Sequence, residues 1–284
     1  MKCLGIHEFK NTQKTNVKSG FPELDKITNG WNNGDLIVIA SRPAMGKTTF
    51  GMSLLREIAV KNRIPTAFFS LEMSNGQAIY RFRITLSKVD GMKIRDYYNE
   101  NMDALSEEEK RRLEDAEEQM DIAPIYFDDT PSLSISELYQ RAVRLVSDFQ
   151  IKLIIVDYLQ LMYAGVSDRN EGIACNICGL KTLAKDLNIP IIALSQLDRN
   201  IENSEEVEGR YPHLRNLRNN TIEQDADVIC FIHRPEYYRI YSDENGNDLH
   251  GKAEIIVAKN RNGNTGIARL KFNGEHLNFD NLDE

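Results

Sequence analysis

Short, almost wholly apolar runs alternate with amphipathic stretches along most of the chain. The runs fall at 36–40, 66–70, 124–127, 153–157, 190–195 and 228–233. Between them, apolar positions recur at helical spacing at about 50–62, 76–89, 106–121, 136–148 and 171–188. A strand that is apolar on both sides has to be covered on both sides, so this alternation predicts an α/β fold with a mostly parallel central sheet flanked by helices. Past residue 250 the style changes. The segments 253–259, 265–272 and 277–279 alternate apolar with polar residues between Asn/Gly-rich turns, which predicts a C-terminal antiparallel extension of the same sheet. No linker rich in Pro, Gly or Ser interrupts the pattern, so one domain over 18–284 is expected, with 1–17 as an N-terminal remnant or linker.

Much of this is scaffold. Ser106 and Glu109 form a capping box, Glu107–Arg111 and Glu108–Arg112 are favourable i,i+4 pairs, and Leu113, Ala116 and Met120 make a buried stripe. That charge run reads as a solvated helix face. Trp31, in an Asn/Gly-rich turn, reads as a packing residue. Cys175 and Cys178 form a lone CxxC inside an amphipathic helix with Ile173, Ile177, Leu180 and Leu183, which is weak ground for a metal site. Tyr237 and Tyr238, just after Arg234, either border a nucleotide base or pack on the surface.

Composition narrows the class. No stretch approaches the roughly 18 apolar residues of a membrane span, the N-terminus has no secretory apolar region, and four cysteines without a framework fit a reducing cytoplasm. A net charge of −8 argues against nucleic-acid binding by the whole surface and leaves room for a local basic groove.

The chemistry begins where the first apolar run ends. Ser41, Arg42, Pro43, Ala44, Met45, Gly46, Lys47, Thr48 and Thr49 follow a buried strand and open a helix, the context a Walker A phosphate loop requires. Gly46 lets the backbone approach phosphates, and loop and helix N–H groups cradle them. Lys47 sets a cation on the β- and γ-phosphates, and the Thr48 hydroxyl is placed to ligate Mg²⁺. The generic pattern has Gly where this chain has Ser41. Asp157 ends an apolar strand as a Walker B carboxylate does, to hold Mg²⁺ through a water. Glu72 follows the strand after the phosphate-loop helix. A parallel sheet delivers it to the same edge, either as the base that orients the attacking water or as a cap of the next helix. Gln196 ends a further strand, where an amide can sense the γ-phosphate. The set describes a RecA-like P-loop NTPase taking ATP and Mg²⁺.

Taken together, these residues resemble the C-terminal ATPase domain of the DnaB-type replicative helicases. The resemblance covers nearly the whole chain: Gly20 to Asp25 with Thr28, Gly30, Gly34 and Asp35; Arg42 to Thr48; Ser70 to Ser74; Val156 to Gln160; Leu194 to Leu197; Ile222 to Asp227; and Lys259 to Gly263 with Thr265 and Gly266. The family's own loop also lacks the first glycine, so Ser41 becomes a family mark. The resemblance implies that Arg261 is an arginine finger and Lys259 its companion, both acting on the nucleotide of a neighbouring subunit. Without it, the two read as exposed strand charges.

In that family, DNA contacts come from loops that line the pore of a hexameric ring. The matching stretch runs from Arg210 to Thr221, with Arg215, Arg218 and Asn219, beside Tyr211 and His213, suited to tracking a phosphate backbone. It follows an acidic loop at 202–208 and is one residue shorter than the family's usual form, without its Glu and Gly. The resemblance further implies single-stranded DNA as partner, 5′-to-3′ movement, self-assembly, and a primase or helicase loader. Fewer than twenty residues precede the entry motif, where the family carries a helical domain and a docking linker, so slow turnover by isolated chains is expected. Two other classes stay open: a nucleotide-switched replication scaffold or loading module, and a RecA-type recombinase ATPase.

Overall fold

The computed structural model of the chain describes residues 16–197 and 211–282. In chain order its elements are β1 (Asn16–Val17), α1 (Pro22–Thr28), β2 (Trp31–Asn32), β3 (Leu36–Ser41) and α2 (Lys47–Leu55), which runs on into a π-helical turn at Arg56–Lys61. Then come β4 (Thr66–Ser70), α3 (Asn75–Ser87), α4 (Gly91–Tyr98), α5 (Glu107–Ile122), β5 (Ile125–Asp128), α6 (Ile135–Phe149) and β6 (Leu153–Asp157). The remainder is α7 (Arg169–Leu187), β7 (Ile191–Gln196), α8 (Asn220–Asp225), β8 (Val228–His233), β9 (Lys252–Asn260), β10 (Gly266–Asn273) and β11 (Asn278–Asn281).

One nine-stranded sheet carries the domain, in the order β11-β10-β9-β8-β3-β7-β6-β4-β5. From β8 to β5 neighbouring strands run parallel, and β9, β10 and β11 continue the sheet antiparallel, as the alternation predicted. Side chains of β3 show why both faces are covered. Ile37 and Ile39 pack with Phe21 of the loop before α1, Phe50 of α2 and Phe82 of α3. Leu36, Val38 and Ala40 pack on the other face with Leu138 of α6, Ile177 and Leu180 of α7, and Ile222 of α8. Trp31 is fully buried in the first of these clusters, the packing role expected of it.

The helix starts are written locally. Ser74, Ser106 and Ser134 form capping boxes with Gln77, Glu109 and Glu137, and Asp168 and Asn219 cap α7 and α8. Hydrophobic spacing did not announce α1, α4, α8 or the small β1–β2 ribbon, because elements of two to eight residues are shorter than the windows in which periodicity shows. Cys175 and Cys178 are exposed on α7, and the Cys178 thiol, bonded to Asp225 at 3.0 Å, is pushed up to about 11. Among the described residues no helix is long and apolar enough to cross a membrane.

Candidate nucleotide site

The strands β3, β4, β6 and β7 all deliver their carboxyl ends to one edge, and the site is built there. Ser41 is the last residue of β3, paired with Gln196 on one side and Ile232 on the other. Its backbone is that of a strand, so the position asks nothing that only glycine could give. The turn comes after it. Met45 N–H donates to the Arg42 carbonyl at 3.4 Å, Ala44 has φ 62°, and Gly46 has φ 90°. A Cβ on Gly46 would stand 3.2 Å from the rings of Phe272 and Phe279, so a side chain here would press on both rings as well as strain the positive φ.

Helix α2 then begins without a side-chain cap from its Gly46 N-cap, in contrast to α3, α5 and α6. Its first-turn N–H groups are left to an incoming group, and with the helix dipole they favour an anion. Lys47 reaches over the same space. Its Nζ lies 3.9 Å from Asp157 Oδ1 and 3.6 Å above the ring of Tyr158. Thr48 Oγ1 donates to Asp157 Oδ2 at 2.7 Å. Asp157 is fully buried, and among the described residues its Oδ1 accepts no hydrogen bond. Burial raises the Asp157 carboxyl and lowers the Lys47 ammonium, and each charge opposes the other's shift.

Lys47 and Thr48 line a cavity of about 460 Å³, whose other walls include Glu72, Arg81, Gln196 and Phe272, and Asp157 lies buried behind Thr48. Leu71 N–H donates to the Asp157 carbonyl at 2.7 Å, which ties the segment after β4 to the end of β6 and presents Glu72 to the cavity. The cap of α3 is Ser74, so Glu72 is not spent on that helix. Gln196 is held by an amide clamp: Gln160 Oε1 accepts its N–H at 3.1 Å, and Gln160 Nε2 donates to its carbonyl at 3.2 Å. A phosphate chain on the loop would therefore meet a cation, a hydroxyl, a carboxylate and an amide within one enclosure, with the Asp157 carboxylate directly behind the hydroxyl.

The model of the DnaB-like helicase C terminal domain matches residues 16–281. The chain belongs to that family. It is 43% identical over 274 residues to the replicative DNA helicase DnaB of Pasteurella multocida, a match covering 95% of this chain and 56% of the relative. It is 36% identical over 273 residues to the DnaB of Geobacillus stearothermophilus, covering 95% and 57%. The chain thus spans little more than half the length of the curated relatives it matches. Among solved structures, an isolated ATPase domain superposes with a TM-score of 0.85 at 30% identity, covering 98% of this chain and 95% of that one. A DnaB-like replicative helicase studied for its interactions with primase superposes at 0.84 and 29% identity, covering 97% of this chain and 64% of that one.

Within this DnaB-like domain the two cations read as trans-acting are far from the phosphate loop. Arg261 N–H donates to the Asp227 carbonyl at 2.9 Å, and Asp227 pairs with Leu36, at the entry of β3. The loop leaves from the exit of that six-residue strand, about 17 Å away at roughly 3.3 Å per residue. Lys259 Nζ donates to the Ala226 carbonyl at 2.7 Å and to that of Glu223. Neither cation meets Lys47 of its own chain. Of the residues read as DNA contacts, Arg210 lies outside the described residues. Arg215 is exposed before α8. Arg218 donates to the Leu197 carbonyl at 3.4 and 3.5 Å and is close enough for its charge to help lower Lys47. Asn219 caps α8, accepting from Thr221 N–H at 2.7 Å and donating to the Asn170 carbonyl at 2.6 Å.

The sequence reading of the DnaB-like site overlooked Arg81, Tyr158, Gln160 and the Arg234–Phe272 pair. The Arg234 guanidinium sits 3.6 Å over the Phe272 ring and donates to the Ala44 carbonyl at 3.2 Å, so it braces the loop from behind. Tyr237 and Tyr238 sit beyond it, and Tyr238 stacks on His233 with ring centres 5.5 Å apart. Tyr158 and Gln160 stood inside a matched motif; Phe272 and Arg81 carried no local signal, since remote strands and helices bring them in.

Proposed function

We propose that this domain is an ATP-driven DNA helicase motor that moves on single-stranded DNA as part of a hexameric ring. The observation that carries the reading is the joining of Lys47, Thr48, Asp157 and Glu72 at the uncapped start of α2. Lys47 and the first-turn N–H groups hold the triphosphate, and Phe272 offers an aromatic wall to its base. Thr48 and Asp157 would hold Mg²⁺, which supplies charge neutralisation on the phosphate oxygens; the buried, unbonded Asp157 Oδ1 fits that use. Glu72 orients and polarises the attacking water. Gln196, fixed by Gln160, reads the γ-phosphate.

Arg261, with Lys259 beside it, acts as an arginine finger on the nucleotide of the next subunit. Its place at the opposite edge of the sheet supports a role in trans. Arg210, Arg215, Arg218 and Asn219 serve as the DNA-facing set. The relatives' names support the replicative role, and the primase named with one structural neighbour supports a primase partner; a loader, 5′-to-3′ polarity and a cytoplasmic setting rest on the family resemblance and the cysteine usage. The scaffold and recombinase readings are weaker, because the hydrolytic set is intact and the Arg42 to Thr48 loop has the helicase form.

Native mass spectrometry with an ATP analogue and single-stranded DNA, followed by fork unwinding, tests the assembly: monomers without DNA-stimulated hydrolysis would refute it. Glu72→Gln is expected to abolish turnover while sparing ATP binding, and unchanged turnover would show that another group is the base.

A further inference from the structure

Arg261 is usable as a finger only if its long side chain is already aimed when a neighbour's nucleotide arrives, and a solvated arginine is not aimed. Here the side chain is 43% exposed but its inner edge is seated. Nη1 donates to Asp227 Oδ1 at 3.1 Å, and Nη2 donates to the Gln224 carbonyl at the end of α8. A guanidinium has five N–H donors, so two such contacts fix its plane and leave donors on the outer edge for an anion. The other oxygen of the same carboxylate is anchored inside the domain. Asp227 Oδ2 accepts Leu36 N–H at 2.8 Å and Lys181 Nζ at 2.6 Å, and the residue is only 5% exposed. The backbone repeats the link: Asp227 N–H donates to the Leu36 carbonyl, and Arg261 N–H donates to the Asp227 carbonyl, each at 2.9 Å.

We infer that Asp227 is the positioning residue for Arg261, a buried carboxylate that fixes the finger to the entry of the strand whose exit carries the phosphate loop. This rests on the trans-acting role of Arg261 proposed above. The carbonyl end of α8 completes the seat by taking the Lys259 ammonium as well, so both cations are held on one rigid support. Asp227 touches no nucleotide and acts only through the guanidinium it orients.

The test is ATP turnover of the full chain with single-stranded DNA, comparing Asp227→Asn, Arg261→Ala and Lys181→Met. Asp227→Asn keeps the shape but removes the charge and one acceptor, so kcat is expected to fall about 10- to 100-fold while KM for ATP stays within about twofold, the signature of a misplaced group rather than a lost binding contact. Lys181→Met removes one of the two contacts on Asp227 Oδ2, and because Leu36 N–H still holds that oxygen, kcat is expected to stay near the parent value. An equal loss in Lys181→Met would show that Asp227 merely holds the sheet edge together, and overturns the inference.

Subunit mixing supplies a readout that a structural role would not move. Lys47→Ala chains lack a working loop but keep the finger, so they are expected to rescue Asp227→Asn chains to about a quarter of the parent rate at equal mixing, if each site works independently. Rescue of Arg261→Ala by Lys47→Ala without rescue of Asp227→Asn overturns the Asp227 assignment alone. No rescue of Arg261→Ala overturns the trans-acting finger itself, and the assignment with it.

Discussion

His233 should make this domain lose stability on mild acidification, and replacing it with phenylalanine should remove that loss. The ring closes β8, is 1% exposed, and lies between Tyr211 and Tyr238 with centres 4.2 and 5.5 Å away. Its Nε2 is buried without a hydrogen-bond partner among the described residues, and burial lowers its pKa from 6.5 to about 4. The unfolded chain therefore binds a proton that the folded chain refuses between those values, so stability is fully present above pH 6.5 and falls as pH drops toward 4. Integrating the two titrations gives about 2 kcal/mol lost between pH 7 and pH 5, and about 3 kcal/mol by pH 4. The window from pH 7 to 5 is the cleaner one, because most carboxylates titrate below it. Urea unfolding at pH 7, 6 and 5 measures the slope in the parent and in His233→Phe, which keeps an aromatic ring between the two tyrosines. The expected result is a slope flatter by about 2 kcal/mol over that range in the variant. Equal slopes would refute the reasoning, since they would mean that the imidazole takes up its proton as readily folded as unfolded.

Two further substitutions probe the loop and its support. Gly46→Ala forces a side chain onto a φ of 90° and against Phe272 and Phe279, so nucleotide affinity is expected to drop at least about tenfold, the equivalent of 1–3 kcal/mol of strain; a fluorescent nucleotide titration with an unchanged Kd would contradict it. Arg56, buried in the π-helical turn, donates to the Asn278 side chain and at 2.8 Å to the Phe279 carbonyl, and it pairs with Glu57 and Asp280 at 2.8 and 3.0 Å. Arg56→Met strands those acceptors and should cost about 3–5 kcal/mol in denaturant unfolding, whereas a loss below about 1 kcal/mol would show that β11 is held by its apolar contacts alone.

Much of the site could be read before folding because its parts are covalently contiguous. A buried strand, a turn and a helix start lie in one stretch from Leu36 to Thr49, and Asp157, Glu72 and Gln196 each stand at or just beyond the end of an apolar run. Parallel strands send such ends to one edge whatever their order, so periodicity together with the phosphate-loop motif gathered most of the candidate site. The same applies to α5, announced by Ser106 with Glu109 three residues on.

Tertiary structure decided what depends on which strands are neighbours. That β8 lies beside β3 puts Asp227 on Leu36, and that β9 lies beside β8 brings Arg261 to Asp227, at the edge away from the phosphates. No spacing along the chain contains that information. The order of β10 and β11 likewise sets Phe272 and Phe279 against Gly46, and the return of the chain before α8 sets Arg218 within electrostatic range of Lys47. Periodicity records only which face of an element is buried; the partner it is buried against is chosen by long-range pairing, and that choice separates Arg261 from the phosphate loop of its own chain.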